Sequence, residues 1–101
     1  MTTKVVNLRK EPYDVYIGRP GRGQEGKWGN PFSSYKDGIT VKESIAKFEE
    51  YLLSNAELMA DIHELKGKTL GCFCKPGPCH GDVLAKYADI SIFWNRYADE
   101  N

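Results

Sequence analysis

The chain has 101 residues, 41% of them hydrophobic, enough for one hydrophobic core and too few for two. Lys plus Arg number 14 and Asp plus Glu number 14, so no net field steers the protein toward a polyanion or an anionic membrane. No apolar run reaches the roughly 20 residues of a bilayer span, and Met1 to Leu8 lacks the long apolar stretch of a signal peptide, so cytoplasmic residence with no membrane partner is expected.

Val5, Val6 and Leu8 give a short β-like run and Tyr13 to Ile17 a second, separated by Glu11 and Pro12. From Gly18 to Asp37 the composition turns to Gly, Pro, Arg, Asn and Ser around Trp28 and Phe32, which predicts a long irregular loop. Loops of that length are commonly functional, and two embedded large aromatics favour an ordered one. Thr40 with Glu43 makes a capping box for a helix whose apolar face is Val41, Ile45, Phe48 and Leu52. Ser54 with Glu57 repeats the capping signal, and Leu58, Ile62 and Leu65 outline a shorter helix ending near Gly67. Lys68 to Cys74 is β-like and runs into a Pro and Gly turn; from Gly81 onward Val83, Leu84, Tyr87 and Ala88 restore a helical period. Ile90, Phe93, Trp94 and Tyr97 predict a last helix packing back on the core.

This order predicts a single α/β domain over residues 1–101, a small two-layer or three-layer Rossmann-like sheet of about three strands covered by helices. A right-handed crossover would bring the third strand beside an earlier one. Ligands of such sheets bind off the carboxyl ends of strands. The loop after Ile17 and the turn after Cys74 both leave from such ends.

The run Gly71-Cys72-Phe73-Cys74-Lys75-Pro76-Gly77-Pro78-Cys79-His80-Gly81-Asp82 holds all 3 cysteines and one of the 2 histidines. The cysteines are too closely spaced for a disulfide framework and point to a reducing compartment. Residues two apart on a strand share a face, so Cys72 and Cys74 project together while the turn returns Cys79 and His80 toward them. Three sulfurs and an imidazole make a Cys3His zinc set, although the spacing is not that of zinc fingers. A metal-free ligand site and plain burial of small hydrophobic thiols are the two other readings, and the residues leave all three open. In the metal-free reading the turn entering a helix favours an anion, Cys79 is a candidate nucleophile and His80 its base or orienting donor. Asp82 is either a ligand-binding carboxylate or a first-turn carboxylate stabilising the helix, and the second role fits better.

Two further segments carry candidate chemistry. Ile17-Gly18-Arg19-Pro20-Gly21-Arg22-Gly23 is a glycine and arginine loop leaving a strand, with Arg19 and Arg22 as phosphate contacts. It matches neither the Walker nor the dinucleotide fingerprint, and a flexible turn with two solvated arginines explains it as well. In Lys27-Trp28-Gly29-Asn30-Pro31-Phe32, Trp28 is a candidate stacking ring and Asn30 a candidate polar reader; a plug capping the core is the competing reading. His63 reads as a surface or packing residue.

The segments VVNLRK, VYIGRPG, KWGNPF and GKTLGCFCKPGPCHGDVLAKYA together resemble an uncharacterised domain family of bacterial and bacteriophage proteins, over nearly the whole chain. The cysteine motif is the most specific part of the resemblance. The step from Cys74 to Cys79 and His80 followed by a helix is also similar to the end of another uncharacterised α/β family, which implies a Rossmann-like layout and nothing about function.

These features predict a small intracellular domain that binds or processes a nucleotide-like small molecule. Its cleft would be lined by the Arg19 loop, the Trp28 to Phe32 segment and the cysteine turn, with the reaction type left open. The alternative is a non-catalytic module of a phage-encoded protein, in which zinc on Cys72, Cys74, Cys79 and His80 ties the turn together and the loop surface binds a protein. Direct nucleic-acid binding ranks third, because the net charge is zero and no reading motif is present.

Overall fold

Short β-branched runs place three strands, β1 (Lys4–Asn7), β2 (Val15–Tyr16) and β3 (Thr69–Cys72), in one sheet of order β1-β3-β2. The computed structural model describes residues 2–21, 23, 26–32, 34–73, 75 and 77–90. Both pairings are parallel, running from Lys4↔Thr69 to Asn7↔Cys72 on one side of β3 and through Val15↔Leu70 and Tyr16↔Gly71 on the other. Backbone bonding outlasts the two-residue ladder of β2: Asp14 N–H donates to Thr69 O at 2.8 Å and Ile17 N–H to Gly71 O at 3.0 Å. The central strand is covered on both faces, and Leu70, Gly71 and Cys72 are all buried.

Between β2 and β3 lie α1 (Ser34–Asp37), a single turn inside the segment expected to be irregular, then α2 (Val41–Ser54) and α3 (Ala56–Asp61). The capping box at the head of α2 forms as predicted: Glu43 N–H donates to Thr40 Oγ1 at 3.0 Å and Thr40 N–H to the Glu43 carboxylate at 3.2 Å. The buried stripe of α2 is Ser44, Phe48 and Leu52, whereas Val41 is 48% exposed because the first turn overhangs a cleft. The cap of α3 is Asn55 and not Ser54, which is the last residue of α2; Asn55 Oδ1 accepts from Leu58 N–H at 3.2 Å. Asparagine is as good a cap as serine, so the signal was real and its position one residue early. A 3-10 turn (Ile62–Leu65) follows, and Gly67 at φ +74° redirects the chain into β3.

The next helix, α4 (His80–Asp89), starts one residue before the expected Gly81 because Cys79 is its N-cap. It touches β1, α2 and the 3-10 turn. The helix-facing side of the sheet and these helices share one buried cluster that includes Ile17, Leu70, Cys72, Phe48, Leu52 and Leu84. The apolar stripe expected from Phe93 to Tyr97 lies outside the described residues. No helix among the described residues is long and apolar enough to cross a membrane.

Two glycines set the spacing of the layers. A Cβ at Gly71 would meet Tyr13 Cγ at 2.6 Å, so Tyr13 lies flat across the central strand on the face away from α4. A Cβ at Gly81 would meet Ile17 Cδ1 at 2.6 Å and Val5 Cγ1 at 2.9 Å, so the first turn of α4 rests directly on the sheet. Tyr13 is 38% exposed and can give way, but Ile17 is fully buried. Gly81→Ala therefore lowers stability by about 1–2 kcal/mol in urea unfolding, since overpacking outweighs the better helix propensity of alanine. Gly71→Ala should cost less, and the reverse ranking would show that α4 is not seated this way.

Candidate functional site

The carboxyl ends of β2 and β3 and the N-terminus of α4 enclose a cleft of about 280 Å³. At its floor are Cys72 and Cys79, each 1% exposed, and His80, 8% exposed. Tyr16, Arg19 and Phe73 also line it, as do Asn30, Phe32, Val41 and Ser44.

Cys79 is set by the local sequence. As N-cap of α4 its sulfur accepts the Gly81 N–H at 3.3 Å, and its own N–H donates to Asp82 Oδ2 at 3.1 Å. Asp82 thus completes a capping box, and its other oxygen meets Lys75 Nζ at 2.6 Å. That makes Asp82 a helix-capping residue, as its position in the first turn suggested, and it is not part of the cleft lining. The Cys79 and Cys72 sulfurs lie 3.0 Å apart and His80 Nδ1 lies 3.6 Å from Cys79 Sγ. His80 Nε2 is 2.7 Å from the Ile17 carbonyl oxygen. A carbonyl only accepts, so Nε2 carries the hydrogen and, in the neutral ring, Nδ1 turns a lone pair toward the sulfur. Phe48 stands edge-on to the ring with centroids 5.0 Å apart.

Asn30, 9% exposed, is tied into the fold: Nδ2 donates to Ser44 Oγ at 2.9 Å and Oδ1 accepts from Phe32 N–H at 2.9 Å. Ser44 Oγ in turn donates to Phe32 O at 2.7 Å. Arg19 lies across the same segment, Nε donating to Asn30 O at 3.2 Å and a terminal nitrogen to Phe32 O at 3.5 Å. Trp28, expected as a stacking ring, is 4% exposed and belongs to the core cluster; Phe32 is the ring of that segment that lines the cleft. His63 is exposed, with Nδ1 3.0 Å from Ala60 O.

Of the predicted site residues, the fold brings Arg19, Asn30, Cys72, Cys79 and His80 together. Arg22 and Cys74 lie outside the described residues. Among the described residues no group of three or more His, Cys, Asp or Glu side chains is placed to hold a metal ion. The sequence reading missed Ser44, whose signal was visible: a polar residue one helical turn from Phe48 in the apolar stripe of α2. It also missed Tyr16 and the Ile17 carbonyl, for which spacing gives no signal.

Burial holds the His80 imidazole below its ordinary value of 6.5, and the nearby Arg19 charge adds to this; the carbonyls of Ile17 and Trp28 and the Asp82 carboxylate oppose it. The unfolded chain therefore takes up a proton below pH 6.5 that the folded chain refuses. The contribution of the neutral ring is complete above pH 6.5 and is lost as pH falls toward the lower folded value, at no more than about 1.4 kcal/mol per pH unit. Urea unfolding at pH 7.5, 6.5 and 5.5 should show that loss, and the His80 ring protons should titrate below 6.5 by NMR. A titration at or above 6.5 would place the ring in water.

Comparison with known proteins gives relatives without an assigned activity. The chain is 36% identical over 86 residues to an "Uncharacterized 12.4 kDa protein in nrdA-td intergenic region" of Enterobacteria phage T4, covering 81% of this chain and 73% of the relative. It is 40% identical over 85 residues to the "Uncharacterized protein R718" of Acanthamoeba polyphaga mimivirus, covering 70% of this chain and 63% of the relative, so it spans less than two thirds of the mimivirus protein. No solved structure matches the chain. The model described as "Domain of unknown function (DUF4326)" matches residues 2–90, and the chain belongs to that family.

Proposed function

We propose that the domain binds a nucleotide-like small molecule in the cleft and presents it to Cys79 and His80. The observation that carries this reading is the meeting, in one concavity of about 280 Å³, of the Arg19 guanidinium, the N-terminal turn of α4 and the rings of Phe32 and Phe73. Arg19 uses two of its N–H groups on backbone carbonyls, which fixes the guanidinium plane and leaves its remaining donors for an anion. The N-terminus of α4 adds a favourable potential for the same negative charge. Phe73, 52% exposed, and Phe32 line the cleft with one face of each under a cation, Arg9 over Phe73 and Lys47 over Phe32, so a base would stack on the other face. The volume is at the small end of ligand sites, suited to a single base and sugar with its phosphate rather than a dinucleotide.

The position is the one at which Rossmann-like parallel sheets bind their ligands, off the carboxyl ends of the strands. Gly81 N–H and the helix dipole stabilise negative charge on Cys79, and His80 Nδ1 is the neighbouring proton acceptor, an arrangement suited to nucleophilic chemistry.

Nucleoside monophosphates should raise the melting temperature of the purified protein and bind by calorimetry, whereas the matching nucleosides should bind at least about tenfold more weakly, a difference of about 1.4 kcal/mol. Arg19→Gln should abolish that preference while leaving the far-UV circular dichroism unchanged. Binding of nucleoside and nucleotide with equal affinity, or of neither, overturns the reading.

A further inference from the structure

The floor of the cleft holds an arrangement of which the proposed function uses only Cys79 and His80: two sulfurs 3.0 Å apart, one at a helix N-terminus and beside an imidazole. We propose that Cys72 and Cys79 form a two-electron thiol–disulfide couple, oxidised through the cleft by a low-molecular-weight disulfide of the glutathione type.

The geometry supports each step. A disulfide needs a sulfur separation of about 2.05 Å, so closing the pair moves the sulfurs by about 1 Å in total, within the reach of small side-chain rotations. Cys79 is the attacking thiol: its sulfur accepts the Gly81 N–H and His80 Nδ1 is placed to take its proton. Cys72, on β3 directly beside it, is the resolving thiol. Both are buried, yet both line the cleft, so the cleft is the route by which a disulfide arrives. Arg19 at that cleft favours an anionic reagent such as oxidised glutathione over a cationic one.

The reaction balances as two exchanges. The Cys79 thiolate attacks one sulfur of oxidised glutathione, forming a mixed disulfide and releasing one glutathione thiolate, which takes up the proton Cys79 lost. Cys72 then attacks Cys79 Sγ, forming the Cys72–Cys79 bond and releasing the second glutathione, which takes up the proton of Cys72. The protein loses two electrons and two protons, and one disulfide becomes two thiols.

The test uses the full chain carrying Cys74→Ser, which leaves only the proposed pair. After incubation with oxidised glutathione and an acid quench, the denatured protein should have lost both thiols, with the mass of an intramolecular disulfide and no adduct. With Cys72→Ser added, one glutathione per chain should accumulate on Cys79, at least about tenfold faster than on Cys72 when Cys79→Ser is added instead. If Cys74→Ser fails to fold, the same oxidation is carried out on the unaltered protein, alkylated and cleaved after Phe73, and the peptide bearing Cys72 should be linked to Cys79. Two thiols retained, a glutathione adduct that is never resolved, or a link to Cys74 overturns the proposal. These readouts need no nucleotide, so failure of the nucleotide reading leaves them intact, and the converse also holds.

Discussion

The hydrogen bond from His80 Nε2–H to the Ile17 carbonyl is the constraint on which the site depends. Ile17 ends the bonded part of β2, and its N–H is already joined to Gly71 on the central strand. Buried at that edge, the carbonyl needs a partner, because an unpaired buried acceptor is costly by about 1–3 kcal/mol. His80 supplies the partner from the first residue of α4, so one bond joins the end of β2 to the helix that follows β3. The bond also decides the chemistry of the ring. With Nε2 committed as donor and the ring kept neutral by burial, Nδ1 is left as an acceptor facing the thiol of its own neighbour.

A second network holds the opposite wall. The described residues from Arg19 to Phe32 lie in no helix and in none of the three strands, and backbone of this kind is held where its polar groups find partners. Asn30 and Ser44 supply them, linking the segment to the buried face of α2, while Arg19 closes over the carbonyls of Asn30 and Phe32. Gly29 lets the segment pass close to the strand end, since a Cβ there would lie 2.7 Å from Gly18 O. The cleft therefore has one wall fixed by the sheet and α4 and one fixed by side-chain bonds to α2.

Much of this was legible in the residues. Periodicity located all three strands and the main helices, because burial on one face leaves the same imprint on the sequence whatever the neighbours are. The errors fell at boundaries and at side chains with two plausible jobs. Ser54 and Asn55 are both good caps, and only the length of α2 decides between them. Trp28 and Phe32 look alike in sequence, yet one is core and the other lines the cleft, a difference set by how the segment folds over α2. The convergence of Arg19, Cys79 and His80 followed from a simple rule about strand ends. The bonds that hold them there did not, because a backbone carbonyl such as that of Ile17 has no letter in the sequence.

Cys79 shows how capping and chemistry diverge. A helix N-cap is served best by Asn, Asp, Ser or Thr, whose short oxygen-bearing side chains bond the first free N–H groups. Cysteine is a weaker acceptor; its sulfur takes the Gly81 N–H at 3.3 Å where the Thr40 oxygen of α2 takes its N–H at 3.0 Å, a difference that the larger radius of sulfur accounts for. The sulfur is buried in the core cluster and lies 3.0 Å from a second sulfur. What cysteine adds is a group that can carry negative charge at the helix end, share a proton with His80 and bond to Cys72, and all three of these properties face the same cleft.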